Sequence, residues 1–431
     1  MAGHDNGDSV TKLLTTLLPS RDNDQDFWWK FIAPKLALLL REAEYPIERQ
    51  YEALLFLYHY VVPSLGSSPF ATDKVKKRSY INNHGQPVLF CWKWNVKPDV
   101  SPEVRITVDP VSQYTGTALD PLNRIATEEL LHRVSDVYPD IDLTLFHHFL
   151  ASFFDHNKDK YVQELKAGKR FGSTTVSCFE ILRKGLLTKV YFVPRYIGQT
   201  DLLPLEWWDS AIREFDPHNG ALDVVRDFIR NNPEGRRLTP YMLAIDNVKP
   251  SSSRFKLYFG SPITDFASVR EVLTLGGLIT GIDKQLQSVQ DLMKATMPSV
   301  QFSNDAEVPN TNSLPNDHLA KILATISGYI WYFDVAPGMK IPDIKFYIPL
   351  RNFPEDDLTQ AKSLTAWMEA HGRSKYCPNY LRMLEGLAVD GKLAESHGLH
   401  SYVSCTIKKS GELDLSSYIS VGGVLPKVNV N

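Results

Sequence analysis

Five times along this chain, two short strand-like runs stand side by side with only a turn between them. They are "PVLFCWKWN" (87–95) with "PEVRITVDP" (102–110), "TTVSCFEILRK" (174–184) with "LLTKVYFVP" (186–194), and "TPYMLAIDNV" (239–248) with "SSRFKLYFGS" (252–261). The last two are "SGYIWYFDVAPG" (327–338) with "IPDIKFYIPL" (341–350), and "GLHSYVSCTI" (398–407) with "ELDLSSYISV" (412–421). Strands joined by so short a turn run antiparallel. About two helical stretches separate each pair from the next, near 121–135 and 140–168, 201–231, 265–295 with 316–325, and 357–387. The interval, roughly 65 to 90 residues, is longer than that of ordinary solenoid repeats.

Side chains alternate along a strand, and here the alternation sorts charge from grease. Lys189 and Tyr191 share one face, as do Lys256 and Tyr258 (with Arg254), and Lys345 and Tyr347. Arg105 and Thr107 repeat the pattern in "EVRITVDP". The opposite face is Val190 and Phe192, Leu257 and Phe259, Phe346 and Ile348. Amphipathic helices must bury their apolar stripe, and this second face is the broad apolar surface available to them. The helices therefore cover it, and the cations and phenols point away. An antiparallel sheet of ten strands covered on one face could stay open or close into a barrel, and closure removes the edges. The expected architecture is α+β: a ten-stranded antiparallel barrel with a polar lumen, inside a ring of helices, wide enough to hold a ligand.

Before the first hairpin, "DQDFWWKFIAPKLALLLREA" and "PIERQYEALLFLYHYVVPSL" form a helical part at about 23–65, broken at Pro34 and closed by Pro63. The five ββ units fall at about 88–109, 175–194, 240–260, 327–350 and 398–420, and residues 1–431 read as a single domain. "SVQFSNDAEVPNTNSLPN" (299–316) reads as a long surface loop.

A net charge of −3 gives no general attraction to nucleic acid or anionic lipid. Cys91, Cys178, Cys377 and Cys405 lie far apart without metal or redox spacing and are expected to be reduced structural thiols. The chain shows neither a basic-then-apolar leader nor a run of about 20 apolar residues. The expectation is a soluble cytoplasmic protein, monomer or homodimer, with no nucleic-acid or membrane partner. "DNDQD" (22–26) and "PEDDL" (354–358) stand where helices begin, so their acids are expected to cap rather than to bind metal. "GGLITG" (276–281) lacks the Lys-Ser/Thr of a phosphate loop.

"FWW" with the following Pro34, "QYEALLFLYHYVVPSLG", "EVRITVDP", "TKVYFVP", "RFKLYFGS", "IKFYIP" and "SYVS" occur in the same order as in the fungal dimethylallyltryptophan synthase family. Across nearly its whole length the chain resembles these aromatic prenyltransferases. The resemblance implies the αββα prenyltransferase barrel and transfer of a dimethylallyl group from dimethylallyl diphosphate to an electron-rich aromatic small molecule, with no metal required. By match of motif, Arg105, Lys189, Arg254, Lys256 and Lys345 would bind the diphosphate, and Tyr191, Tyr258, Tyr347 and Tyr402 would shield the allylic cation. Fixed cations offset the leaving group's charge in a dry site, and aromatic faces stabilise a carbocation without capturing it.

One position departs from the pattern. Indole-prenylating members carry a glutamate on the first barrel strand; the matching residue here is Leu89, which accepts no hydrogen bond. With Thr107, Asp246 and His400, Leu89 is a candidate acceptor contact. An indole-containing metabolite (an alkaloid, cyclic dipeptide or indole diterpene) is the expected acceptor, and a phenolic or polyketide acceptor is the alternative. A non-catalytic barrel binding a phosphorylated ligand is a remoter one, since such a site has no evident need for four tyrosines.

Overall fold

The computed structural model describes residues 6–71, 79–82, 84–169, 172–196, 199, 202–261, 265–297 and 318–422, the side chains of 6–9, 318 and 319 excepted. The loop expected at 299–316 lies outside the described residues.

The five hairpins are present: β1 (Val88–Lys93) with β2 (Glu103–Val108), β3 (Thr175–Ile181) with β4 (Leu186–Phe192), and β5 (Thr239–Asp246) with β6 (Phe255–Ser261). β7 (Tyr329–Asp334) pairs with β8 (Asp343–Ile348), and β9 (His400–Ile407) with β10 (Leu413–Ser420). Neighbours in sequence are neighbours in space, every pairing is antiparallel, and β1 closes onto β10 to complete a barrel.

The outer face is apolar, as the alternation requires. Phe90, Ile106, Phe179, Phe192, Leu257, Phe333, Phe346 and Leu415 are fully buried beneath the helices. Each such side chain contributes about 1.5–3 kcal/mol of transfer free energy. Aromatic rings link the two layers. Phe149, on helix Thr144–Phe153, lies 5.8 Å from Phe192 and 6.0 Å from Phe255, centroid to centroid. No helix among the described residues is long and apolar enough to cross a membrane.

The N-terminal part departs from expectation at Pro34. Helix Asn23–Glu42 runs through it unbroken. Proline removes one intrahelical donor, but Ile32, Ala33, Leu36 and Ala37 around it are wholly or almost wholly buried, and Lys35 Nζ donates to the Phe31 carbonyl at 2.8 Å. Packing outweighs the lost bond. The next helix, Ile47–Phe56, does end as expected, through a π-turn (Leu57–Val61) into the short turn carrying Pro63.

The acidic strings cap. Asp22 accepts from Gln25 N at the start of helix Asn23–Glu42, and Asp356 from Thr359 N at the start of helix Asp357–Ala370. Asp357 has a separate role. Fully buried, it accepts from Ser396 Oγ (2.8 Å), Leu399 N (3.0 Å) and His400 N (3.0 Å), tying this helix to the first residue of β9. Asp357→Ala would orphan these buried donors, at a cost of about 3 kcal/mol. Urea unfolding monitored by tryptophan fluorescence should show that loss; an unchanged midpoint would remove Asp357 from the barrel's support.

Candidate active site in the barrel lumen

The register divides the lumen into two chemically distinct ends. At one end the side chains are charged. Arg105 and Glu180 are cross-strand partners, as are Lys189 and Asp246, and Lys256 and Asp334. Glu180 forms ion pairs with Arg105, whose Nε is 3.1 Å away, and with Lys189. Asp246 takes Arg254 Nε on one oxygen and Lys256 Nζ on the other, both at 2.6 Å. Lys408 lies 3.1 Å from Asp414, and Lys93 bonds Glu103 at 2.8 Å.

These environments shift proton affinities in opposite directions. Burial lowers both Lys256 and Lys345 to about 8, more than their acidic neighbours restore. For Asp246, burial pushes upward, but Lys256, Lys189 and Arg254 prevail and hold it to about 2. Burial likewise works against ionisation of Glu180, yet Arg105 and Lys189 keep its carboxyl far below the usual range. At neutral pH Lys256 and Lys345 are still charged, and Asp246 is ionised between Arg254 and Lys256.

Toward the other end the lumen is phenolic. Tyr258 lies 5.9 Å from Tyr191, 5.2 Å from Tyr332 and 6.1 Å from Tyr347, and Tyr347 lies 5.6 Å from Tyr418. The Tyr347 hydroxyl is 3.4 Å from those of both Tyr258 and Tyr418. Burial lifts these five phenols well above their ordinary range, so they stay neutral. Lys345 Nζ sits about 6 Å from the ring centroids of Tyr332 and Tyr347, where the ends meet. A cavity of about 160 Å³ lies between cations and phenols, bordered by all five cations expected at a diphosphate site. Asp343 and Lys408 border both this space and a cavity of about 730 Å³ on the outer surface, so the charged end is the barrel's mouth.

The residues singled out in the sequence are distributed as follows. Arg105, Lys189, Arg254, Lys256 and Lys345 converge, and Tyr191, Tyr258 and Tyr347 stand beside them. Tyr402 lies one layer deeper: its ring is 6.3 Å from Tyr347, its hydroxyl donates to the Ile326 carbonyl at 3.3 Å, and the Arg351 guanidinium stands 4.6 Å over it. Leu89 is in register with Thr107 and Ser420 and shares the phase of Cys91, whose electrostatic neighbours are Arg105 and Lys345. Thr107 meets the Cys178 thiol.

Asp246 faces the lumen as expected, with its two oxygens on Arg254 and Lys256. One expectation needs correction. His400 is not in the lumen. The register slips between Tyr418, opposite Tyr402, and Ile419, opposite His400, leaving Ser401 as an extra residue. Such a bulge breaks the alternation. His400 turns outward, fully buried, with Nδ1 3.1 Å from Asp357 Oδ1 and Nε2 2.8 Å from the Tyr380 hydroxyl.

Tyr332, Tyr418, Glu180, Asp334 and Asp414 were missed. Strand phase places each of them inward: Glu180 with Cys178, Tyr332 with Asp334, Tyr418 with Ser416. Their strands lack the Lys-x-Tyr signature, so the signal was present but did not repeat.

Comparison with known proteins agrees with this geometry. The family model described as tryptophan dimethylallyltransferase matches residues 24–383. Prenyltransferase anuH of Penicillium roqueforti is 43% identical over 95% of this chain and 92% of its own length. Xanthone prenyltransferase A of Emericella nidulans is 42% identical over 96% of both chains. Among solved structures, NotF in complex with brevianamide F and DMSPP superposes with a TM-score of 0.77 over 96% of this chain and 98% of that one, at 23% identity. The chain belongs to the tryptophan dimethylallyltransferase family and is an aromatic prenyltransferase.

Proposed function

We propose that this enzyme moves a dimethylallyl group from dimethylallyl diphosphate onto a phenolic, polyketide-type aromatic acceptor. The observation that carries the choice of acceptor is the surroundings of Leu89. Its cross-strand neighbours are Thr107 and Ser420, whereas Glu180, Asp246, Asp334 and Asp414 lie among the cations at the mouth. No carboxylate of that set is placed to take an indole N–H or to draw off a ring proton. A phenol brings its own activating oxygen and has no N–H to be bound, and its ring proton can leave to water. The name of the 42%-identical xanthone prenyltransferase supports the same reading.

In this reading the diphosphate lies among Arg105, Lys189, Arg254, Lys256 and Lys345, and the allyl group lies against Tyr191, Tyr258 and Tyr347, joined by Tyr332 and Tyr418. Tyr402 shapes the deeper, acceptor side. The C–O bond breaks with its electron pair going to the diphosphate oxygen. The aromatic ring attacks the allylic cation, and the resulting arenium ion loses its proton to water. Fixed cations at such a leaving group are worth about 10²–10³ in rate each. Neutral phenols stabilise the cation at roughly 0.5–2 kcal/mol per face without supplying a phenolate to capture it. The counter-charge comes from side chains, so the reaction is expected to proceed without added metal. An indole-bearing acceptor is the second reading, favoured by the description of the family model.

Incubation with dimethylallyl diphosphate and EDTA, against panels of xanthones and other phenols, indoles and cyclic dipeptides, tests this directly. Mass spectrometry should find products one C5H8 unit heavier from the phenols; conversion of indoles alone would reverse the acceptor assignment. Leu89→Glu should improve simple indoles relative to phenols by at least about tenfold in kcat/KM, a 1.4 kcal/mol difference. An unchanged ratio would remove Leu89 from the acceptor contact. Lys256 and Lys345 are charged below about 8 and lose that charge as pH rises through it. Donor kcat/KM should therefore fall above pH 8, while the kcat limb moves higher because bound diphosphate favours the charged lysines. A donor kcat/KM flat to pH 9.5 would contradict their role.

A further inference from the structure

Among the carboxylates at the charged end, Asp334 is the exception. Glu180 and Asp246 each hold two cations, and Asp414 has Lys408 at 3.1 Å. Asp343 is exposed to solvent. Asp334 is only 4% exposed. Its Oδ2 is 3.5 Å from Arg254 Nη1, beyond an ordinary N–H···O bond. Its Oδ1 is enclosed and, among the described residues, has no hydrogen-bond partner. Asp414 Oδ1 shares that lack, but Lys345 and Lys408 hold the Asp414 carboxyl below its usual range against burial.

The groups around Asp334 come from three neighbouring strands. Lys256 stands directly across β6, with its ammonium engaged by Asp246 of β5; Arg254 is beside it, and Asp343 lies directly across β8 with Lys345 two residues on. Tyr332 precedes it on the same face of β7. An ionised carboxylate with an enclosed, unpaired oxygen is costly, and a carboxylic acid avoids the cost. Burial, first, raises the proton affinity of Asp334, aided by Asp246 and Asp343 and opposed by Lys256 and Arg254.

We propose that Asp334 is a general acid that hands its proton to the departing diphosphate. This rests on the donor placement proposed above, which puts the leaving group at Asp334 when the allyl group lies against Tyr258 and Tyr332. As the C–O bond breaks, its electron pair stays on the diphosphate oxygen, and the Asp334 proton goes to the diphosphate. The carboxylate left behind is stabilised by Arg254 and Lys256. It regains a proton from water through the mouth, where Asp343 borders the outer cavity. A carboxylate fixed beside a diphosphate repels it; the protonated acid instead donates to it.

The first test needs no variant. Single-turnover cleavage of dimethylallyl diphosphate by the wild-type protein should be slower in D₂O than in H₂O, and a solvent isotope effect of one would overturn the proposal. Asp334→Asn keeps the shape without the proton. Its kcat should fall about 10²-fold, its solvent isotope effect should vanish, and its calorimetric affinity for inorganic pyrophosphate should stay within a factor of three. Wild-type kcat should decline as pH rises through the carboxyl titration, below the lysine limb, and Asp334→Asn should lack that decline, with Asp334→Glu recovering part of it. Wild-type kcat and pH profile in Asp334→Asn, or a loss confined to donor KM, would overturn the inference. Lys189→Ala separates the two layers of argument. If it is impaired while Asp334→Asn is normal, the general acid alone is wrong; if both turn over normally, the donor placement fails and takes the general acid with it.

Discussion

Holding several cations inside a protein is the constraint on which this molecule depends. An isolated ammonium out of water neutralises before it is tolerated, and Lys256 and Lys345, drawn down to about 8, are already part of the way there. Asp246 opposes that loss at Lys256, and Asp414 opposes it at Lys345. Glu180 and Asp246 each hold two cations in place, so the lumen meets its ligand with charges present, side chains extended and little reorganisation left to make. Preorganisation of that kind is what makes electrostatic stabilisation effective in a water-poor site.

The second requirement, that a cation-stabilising surface lie next to an anion-binding one, is met by strand register. A residue two positions along a strand lies on the same face, further along the barrel axis. The pairing steps the Lys-x-Tyr strands by two residues: Lys256 is in register with Tyr191 through Ala244, and Lys345 with Tyr258 through Tyr332. One spacing in sequence thereby sets cations beside phenols around a single cavity, where a C–O bond joining an allyl group to a diphosphate would lie.

This explains what could be read from the sequence and what could not. The barrel was legible because hairpin pairing and alternation are local, and the Lys-x-Tyr strands were legible because they repeat. Tyr332 and Tyr418 complete the phenolic ring through cross-strand pairs with Tyr258 and Tyr402, a relation that no single strand records. The roles of Glu180 and Asp246 depend on which strands become neighbours. His400 was misplaced by a single extra residue in β9, because a bulge has no dependable signature in a run as plain as "HSYVS". Pro34 was overvalued: a local breaking rule yielded to burial of the residues around it.

The seam between β1 and β10 joins Leu89 to Ser420 and Lys93 to Ser416. The first barrel strand to leave the ribosome is thus completed by the last. Until more than three hundred further residues have been made, β1 and the growing edge opposite it display unpaired backbone of the kind that templates aggregation. The lumen does not exist during that time, and the phenols and lysines meant for it face water. Closure is an event of the finished chain, slow in the way that long-range strand pairing is slow. A nascent protein of this kind has good reason to depend on whatever shields its open sheet until the final hairpin arrives.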